Sequence, residues 1–374
     1  MVMHIIKPTF IVDKEKALKN IMRIKEKLAK TPGVRFRPHF KTHQSAPIGE
    51  WFREMGVSAI TVSSVDMALF FAQHGWTDIT IAILVNPLEI EPIMHLAETV
   101  DLNLLVDSAE TAAFLAKHLA QKLTKSVKMW IKIDTGYHRT GIEYDRTAEI
   151  LSAAKEIKKS RGLHFQGLLT HSGHSYKAKS PGELKAIYAD TVTKMTGVRE
   201  YLKKNGITGV EISIGDTPTC SAVDTFYGVN EVRCGNFVFY DVMQMAIGAC
   251  KEEDIAAAVA CPVIARYPQR NEIVIYGGAV HLSKEFITDE KGRKIYGLAA
   301  LPNESSPRWG PSLDDTYVSA LSQEHGIIKT TGDFIQQVRV GDIVMILPVH
   351  SCLAADLMRH NLLPTEHTKN TERK

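Results

Sequence analysis

The sequence predicts an α/β protein in which a (β/α)8 TIM-type barrel precedes a β-rich C-terminal domain. Short runs rich in β-branched and aromatic residues recur along the chain, and helix-like segments such as AEILSAAKEIKK separate them. Eight strand–helix repeats are typical of a closed parallel barrel. An open doubly wound sheet is the competing fold, but no G-x-G-x-x-G phosphate loop follows any of the runs. In chain order the eight runs are VRFRPHF (34–40), VSAITVSS (57–64), DITIAIL (78–84), DLNLLVD (101–107), VKMWIKID (127–134), HFQGLLTH (164–171), GVEISIG (209–215) and EVRCGNF (231–237).

Beyond residue 250 the pattern changes. The runs at 255–268, 271–280, 325–332 and 340–350 look like strands without helices between them, separated by Gly, Pro and polar residues. We therefore predict a barrel domain over residues 1–250 and a β-rich domain over residues 251–374. The first ~20 residues precede the first barrel strand, so they are able to pack on the second domain.

Composition and charge exclude several classes of protein. The 374 residues include 45 Lys and Arg and 42 Asp and Glu, which gives a net charge of +3. A balance this close to neutrality predicts no nucleic-acid partner and no membrane partner. No run approaches the roughly 20 apolar residues of a membrane span, and the start of the chain lacks the apolar core of a signal peptide. Five scattered cysteines indicate reduced thiols in a cytoplasmic protein.

Charged residues alternate with apolar ones in several of the predicted barrel strands. Successive side chains of a strand point to opposite faces, so the apolar set faces the surrounding helices and the other set faces the lumen. Burying this many charges is costly unless they pair or hold a ligand, and this favours an active site. The predicted inward set is Arg37, His39, Lys41, Lys132, Asp134, Glu211, Ser213 and Gly215.

Two glycine-containing loops follow the seventh and eighth predicted strands, where such barrels commonly hold phosphate. In these loops, GDTPT and CGNF, Gly215 and Gly235 allow close approach of the backbone. Thr217, Thr219 and neighbouring backbone N–H groups can donate to phosphate oxygens. A lone GDTPT is more often a plain turn, but two such loops in these positions favour a phosphate site.

Lys41 is the candidate nucleophile. It ends the first predicted strand on the lumen side, between His39 and His43. Burial and cationic neighbours such as Arg37 favour the neutral amine, which is the form that attacks a carbonyl. An amine facing a phosphate site predicts a phosphorylated aldehyde cofactor. Pyridoxal 5′-phosphate (PLP) fits, because its aldehyde can form a Schiff base with Lys41 while its phosphate occupies the loops.

The segment RPHFKTH closely resembles the R-P-H-x-K-T-H signature of fold-type III PLP enzymes, whose N-terminal barrel is alanine-racemase-like. Within that class the resemblance is to the D-serine dehydratase and D-threonine aldolase family, and it runs over most of the chain. KIDTGYHRTG, LLTHSGHSY, IGDTPT and RCGNFVFYD are similar to the family's later motifs, in the same order. Any one of these motifs alone is weak evidence, whereas together they are specific.

The resemblance implies roles for individual residues. Lys41 would carry the cofactor, Arg139 would lie near its phenolic oxygen, and His39 would also contact it. His171 and Tyr176 would line the catalytic site. The phosphate would be held by Gly215, Thr217, Gly235 and Asn236.

His350 and Cys352 form a candidate metal pair. They are two residues apart in a run that begins as a strand, so both side chains can point the same way. Imidazole and thiolate suit Zn²⁺, although an H-x-C pair alone is usually coincidence. The position is similar to that of the metal-binding H-x-C of the dehydratases, while the aldolases have H-x-D there. The resemblance therefore implies Zn²⁺ or another divalent metal, and favours the dehydratase branch.

The predicted function is a PLP- and zinc-dependent lyase that acts on small D-β-hydroxy amino acids. D-Serine, converted to pyruvate and ammonia, is the first candidate substrate. The metal would act as a Lewis acid on the departing hydroxyl, and the Lys41 amine would remove the Cα proton. The alternatives are retro-aldol cleavage of the D-threonine aldolase type, an amino-acid racemase, and a non-catalytic PLP-binding protein. The resemblance also implies a homodimer.

Overall fold

The computed structural model describes residues 5–119, 125–303 and 308–364. These residues form two compact units. The barrel unit comprises Arg23–Lys41 and Ser45–Gly235. The C-terminal unit comprises the described residues up to Met22, the segment Thr42–Gln44, and the described residues from Asn236 onward.

A strand and a long helix open the described chain: β1 (Thr9–Val12) and α1 (Lys14–Ala29). The strands of the barrel unit follow in the order that the sequence predicts, and the first and last of them are shorter than their runs. They are β2 (Arg35–Phe36), β3 (Ala59–Val62), β4 (Asp78–Leu84), β5 (Asp101–Val106), β6 (Val127–Asp134), β7 (Ile142–Glu143), β8 (Leu163–Leu169), β9 (Glu211–Ile214) and β10 (Glu231–Val232). All except β7, which pairs with the end of β6, form one parallel sheet in the order β2-β10-β9-β8-β6-β5-β4-β3.

A bridge between His39 and Thr61 joins the two edges of this sheet, beyond the end of β2. The Thr61 N–H donates to the Pro38 carbonyl at 2.9 Å, and the Thr61 hydroxyl donates to the Arg37 carbonyl at 2.8 Å. Eight parallel strands of the described chain therefore form a nearly closed barrel, which confirms the predicted fold. Its lumen is filled in part by Trp130, whose indole N–H donates to Asn103 at 3.1 Å.

Helices connect the strands, and several begin at a residue whose side chain caps the first turn. Ser45 accepts from the Ile48 N–H at 3.5 Å, and Ser180 accepts from the Glu183 N–H at 3.2 Å. The helices of the barrel unit are α2 (Ala46–Glu54), α3 (Val65–Gln73), α4 (Ile90–Thr99), α5 (Ala109–Leu119), α6 (Thr147–Lys159), α7 (Pro181–Lys204) and α8 (Thr217–Ala222).

The C-terminal unit is β-rich, as predicted. Its further strands are β11 (Ala257–Tyr267), β12 (Glu272–Tyr276), β13 (Ile287–Thr288), β14 (Lys294–Ile295), β15 (Gly297–Pro302), β16 (Trp309–Leu321), β17 (His325–Lys329), β18 (Ile343–Pro348) and β19 (Leu362–Pro364). The main sheet has the order β12-β17-β16-β15-β18-β11-β1-β19, and β12 also pairs with β11. A register irregularity between Val263 and Ala265 lets the long β11 turn from one partner to the other.

Short helices also occur in this unit, contrary to the prediction of strands alone. They are α9 (Val242–Ala246), α10 (Ala279–Leu282), α11 (Gly332–Gln337) and α12 (Ser351–Leu357). The helix α11 begins where Thr331 caps the Phe334 N–H at 3.4 Å. Within residues 5–119, 125–303 and 308–364, no helix is long and apolar enough to cross a membrane.

Candidate active site

Lys41 lies at the carboxyl end of the first barrel strand, in the short 3-10 turn Phe40–Thr42. Its backbone N–H donates to Nδ1 of His39 at 3.4 Å. The prediction that Lys41 is buried is wrong, because β2 ends early and the chain turns, so the residue is exposed at the barrel mouth. The predicted cationic neighbour Arg37 is also absent from this group, since its guanidinium binds carboxylates at the other end of the barrel.

Two neutral histidines accompany Lys41. Removal from bulk water, followed by the charges of Lys41 and Arg233, lowers the pKa of His39 well below its usual value. Removal from water and the nearby Lys132 do the same to the pKa of His171. Nδ1 of His171 donates to the Gly215 carbonyl at 2.6 Å, which leaves Nε2 of the neutral ring able to accept a proton.

Lys132 and Arg139 place positive charge at the mouth. Burial, and then the charges of Arg233 and Arg139, lower the pKa of the Lys132 amine to about 7. Arg139 is exposed, and its guanidinium lies 5.1 Å from the ring centre of Tyr137. The carboxylate of Asp134 is occupied by the N–H groups of the loop after β6, at 2.8 and 2.9 Å, so it acts as a turn cap.

Arg233 is a site residue that the sequence prediction missed. It is 2 % exposed, and burial lowers its pKa to about 10 despite the charge of Glu231. Its Nε donates to the Ser213 hydroxyl and its Nη2 to the Thr170 carbonyl, both at 2.6 Å. The sequence did indicate it, because Glu231 and Arg233 flank the apolar Val232 and therefore point to the opposite face of the strand from it, which is the lumen face.

The two predicted phosphate loops lie at the same ends of the strands. A Cβ at Gly215 would come within 2.8 Å of Arg233 carbon atoms, so only glycine lets the loops after β9 and β10 approach this closely. Thr217 is buried at the start of α8, and Gly235 is buried after β10. The predicted role of Thr219 as a phosphate donor is wrong, because its N–H and hydroxyl donate to Asp216 at 2.9 and 2.8 Å.

Tyr176 lies in the 3-10 turn Gly173–Lys177, with its ring centre 6.3 Å from that of His171. Tyr137 approaches the same imidazole at 6.0 Å. The structure therefore groups Lys41, His39, Arg139, His171, Tyr176, Gly215, Thr217 and Gly235 at the carboxyl ends of the barrel strands.

In the C-terminal unit, His350 and Cys352 are in contact, for a reason other than the one predicted. The strand ends at Pro348. His350 then occupies the N-cap position of α12 without a capping hydrogen bond from its side chain, and Cys352 lies in the first turn of that helix. Burial lowers the pKa of His350, but its hydrogen bond to Cys352 and the negative charges of Cys352 and Asp241 outweigh burial and raise the pKa to about 9.

Asn236 belongs to this second group and not, through its side chain, to the phosphate loops. Its amide nitrogen lies 2.7 Å from Oδ2 of Asp241, 3.1 Å from Oγ of Ser351 and 3.3 Å from Sγ of Cys352. The carboxylate of Asp241 therefore binds the amide donor of Asn236, and the contact of Asn236 with the phosphate stays a prediction.

Both implied groups fit the residues present. The barrel mouth offers an anion several cations and the close approach of Gly215. At the metal pair, Nδ1 of His350 is buried without a hydrogen-bond partner, and imidazole with thiolate is a zinc-type donor set. No third histidine, cysteine or carboxylate joins the pair among the residues that the structure describes, so the protein offers two ligands.

Family models match both parts of the chain. The model of the alanine racemase N-terminal domain matches residues 12–242, and that of a putative serine dehydratase domain matches residues 256–363. The D-serine dehydratase of Dictyostelium discoideum is 31% identical over 357 residues, which cover 90% of this chain and 87% of the relative.

The D-threo-3-hydroxyaspartate dehydratase of Delftia sp. strain HT23 is 30% identical over 351 residues, covering 92% of this chain and 90% of the relative. Its solved structure has a TM-score of 0.86 at 29% identity and covers 95% of this chain and 93% of that one. Another structure is a cysteine-to-alanine mutant of this enzyme in the metal-free form. The D-threonine aldolase of Filomicrobium marinum, with a TM-score of 0.76 at 19% identity, shares the fold over 94% of this chain and 91% of its own. The chain therefore belongs to the fold-type III PLP family in which an alanine-racemase-like barrel is joined to a serine dehydratase domain, the family of the D-serine and D-threo-3-hydroxyaspartate dehydratases.

Proposed function

We propose that this protein is a PLP- and metal-dependent lyase that eliminates water from a small D-β-hydroxy amino acid, with D-serine as the first candidate substrate. The observation that carries the proposal is the cationic barrel mouth around Lys41, in a chain that belongs to a dehydratase family. Cytoplasmic location and a homodimer are part of the same proposal, and both rest on the family resemblance and on the scattered thiols.

The cofactor-binding residues in this proposal are those that converge at the mouth. Lys41 would carry the aldehyde carbon, and the loops of Gly215, Thr217 and Gly235 would hold the phosphate. Arg139 would face the phenolic oxygen, with Lys132 and Arg233 completing the positive field. When bound, PLP supplies the electron sink for the negative charge that develops at Cα.

The remaining proposed roles concern proton transfer and the leaving hydroxyl group. The Lys41 amine is the proposed base for the Cα proton, and its exposure leaves it accessible to substrate. Removal from water keeps His171 neutral, and its hydrogen bond to the Gly215 carbonyl orients the ring, so its Nε2 can accept a proton beside Tyr176. His350 and Cys352 would hold a divalent metal, with Zn²⁺ preferred, and such a metal would supply Lewis-acid stabilisation of a leaving hydroxyl.

A product assay tests the proposal. The PLP- and zinc-loaded protein is incubated with D-serine, D-threo-3-hydroxyaspartate and D-threonine, with L-serine as the stereochemical control. We expect ammonia with the matching 2-oxo acid, which is pyruvate from D-serine. Glycine with an aldehyde would establish retro-aldol cleavage instead, and L-serine formed from D-serine would establish a racemase. Turnover of none of these compounds would refute the substrate class.

A further inference from the structure

We propose that Asn236 and Thr42 are positioning residues for Cys352, and that their hydrogen bonds determine how tightly the His350–Cys352 pair binds metal. This inference rests on the proposed metal site. All of these residues belong to the C-terminal unit, because the short segment Thr42–Gln44 groups with it. Sequence reasoning connected neither residue with the metal pair.

The Asn236 amide approaches the sulfur from one direction. Its Nδ2 lies 3.3 Å from Sγ of Cys352, and the side chain is only 6 % exposed. The nitrogen and oxygen ends of an amide are distinguished by the groups around them. Oδ2 of Asp241 lies 2.7 Å away and can only accept while ionised, so the NH₂ group must point toward Asp241 and Cys352.

Asp241 is fixed in turn by backbone and hydroxyl donors. Its Oδ2 accepts from the Ser351 N–H at 3.0 Å and from the Ser351 hydroxyl at 3.3 Å, while its Oδ1 accepts from the Gln244 N–H at 2.9 Å. Ser351 lies between the two candidate ligands in the sequence. The carboxylate therefore anchors both the Asn236 amide and the backbone that carries His350 and Cys352.

Thr42 approaches the same sulfur as a second polar group. Its hydroxyl oxygen lies 3.5 Å from Sγ of Cys352, and the residue is fully buried. The Cys352 thiol donates this hydrogen bond to the Thr42 hydroxyl. When the sulfur is an anionic ligand, the rotatable hydroxyl can donate to it instead. Two residues further on, the Gln44 amide donates to Asp356 of α12 at 2.7 Å. This contact holds the Thr42 segment beside the helix that carries Cys352.

The consequence is a sulfur held by two donors in a buried setting. Hydrogen bonds to an anionic acceptor are about twice as strong as neutral ones, and outer groups that orient ligands typically change metal affinity by about 10–100-fold. With two protein ligands, each donor carries a larger share of the site's organisation than it would in a four-ligand site. Asn236 and Thr42 thus act through Cys352 and not on the substrate.

Two nearly isosteric variants of the full-length protein test the inference: Asn236→Asp, which removes the NH₂ group, and Thr42→Val, which removes the hydroxyl. Zn²⁺ affinity is measured by competition with a chelating dye, and Co²⁺ loading reports sulfur ligation through the thiolate-to-cobalt charge-transfer band. We expect Zn²⁺ binding to weaken about 10–100-fold in each variant, with a shifted or weakened cobalt band. Thr42→Ser should restore both.

Thr316→Val is the matched control, since it removes a buried threonine hydroxyl that bonds Thr330 at 3.0 Å elsewhere in the same unit. It should lower thermal stability comparably while leaving Zn²⁺ affinity and the cobalt band as in the unmodified protein. Unchanged affinity and an unchanged band in Thr42→Val would overturn the inference, even if Asn236→Asp fails to fold. By contrast, if Cys352→Ala binds metal as tightly as the unmodified protein, the proposed metal site itself is wrong.

Discussion

The two ends of the barrel differ in whether the charge of a buried arginine is compensated by a carboxylate. At the amino ends of the strands, Arg37 binds Asp78 at 2.6 Å and Glu231 at 2.8 Å. Burial opposes its charge, but these two carboxylates outweigh burial and raise its pKa. At the carboxyl ends, Arg233 bonds only neutral groups through its Nε and Nη2 atoms, and its pKa falls to about 10.

A single chain of hydrogen bonds runs through the lumen between these ends. The Glu231 carboxylate that binds Arg37 also accepts from the Ser213 hydroxyl at 2.8 Å, and this hydroxyl accepts from Arg233. The difference therefore lies in charge compensation and not in burial. The charge of Arg37 is compensated by two carboxylates of the protein, as in a structural ion pair. The cations of the mouth can instead be compensated by a bound anion.

The largest effect that this comparison predicts is at Lys41. Lys41→Ala should abolish the Schiff-base absorption band of the PLP-loaded protein and reduce turnover to background, because it removes the amine that is the proposed covalent attachment point. Lys177→Ala, which removes an exposed lysine near the same rim, is the control. An absorption spectrum after removal of unbound PLP decides the matter, and a band that persists in Lys41→Ala would exclude this lysine as the attachment point.

The next largest effect is at the opposite end. Arg37→Met should lower the free energy of unfolding by about 3–5 kcal/mol, because it removes the buried cation that binds the fully buried Glu231 and the partly buried Asp78. Arg35→Met, two residues earlier in the chain, is the control. The Arg35 side chain is 44% exposed and lies 3.4 Å from Glu231, so we expect a loss of at most about 1 kcal/mol. Denaturant titration measures both. Folded Arg37→Met should still form the Schiff-base band, and loss of the band in a folded variant would contradict the division between the ends.

The alternation of side chains along a strand determined which residues at the two ends of the barrel could be predicted from the sequence. It assigned Arg37, Lys132 and Ser213 to the lumen, because the alternation of apolar and polar residues survives in a regular strand. It could not show which carboxylate neutralises which cation, since Asp78 and Glu231 come from strands far apart in the sequence. Nor could it show that Lys41 is exposed, which depends on where β2 stops pairing.

The geometry of the metal pair could not be predicted from the alternation of side chains along a strand. A strand through residue 352 would align His350 and Cys352, but the strand ends at Pro348 and a helix begins. The two side chains still meet, through a local turn that composition does not encode. The contact of Asn236 with Cys352 spans 116 residues, so no sequence pattern could reveal it.

A smaller effect concerns pH. The folded-state pKa of Lys132, about 7, lies below the unfolded value of 10.5, so the unfolded chain holds more protons between these two values. Stability of the cofactor-free protein from this residue therefore rises with pH across that window and is lowest below pH 7. Lys132→Met should therefore raise the free energy of unfolding about three times as much at pH 6.5 as at pH 9.5, because the penalty that it removes shrinks as the pH approaches the unfolded pKa. An equal benefit at both pH values would show that the lysine amine is not the source.

The smallest predicted effect is the stabilisation of the cofactor-free protein by an anion that binds the cations of the mouth. Inorganic phosphate at about ten times its dissociation constant should stabilise the cofactor-free protein by about 1.4 kcal/mol, and chloride at equal ionic strength by less. Arg233→Met should lose this increment, because it removes a cation of the mouth. Arg37→Met should keep the increment on a lower baseline, since its guanidinium is already neutralised. Thermal unfolding with and without phosphate compares the two variants, and equal increments in both would mean that the two ends of the barrel do not differ in their demand for an anion.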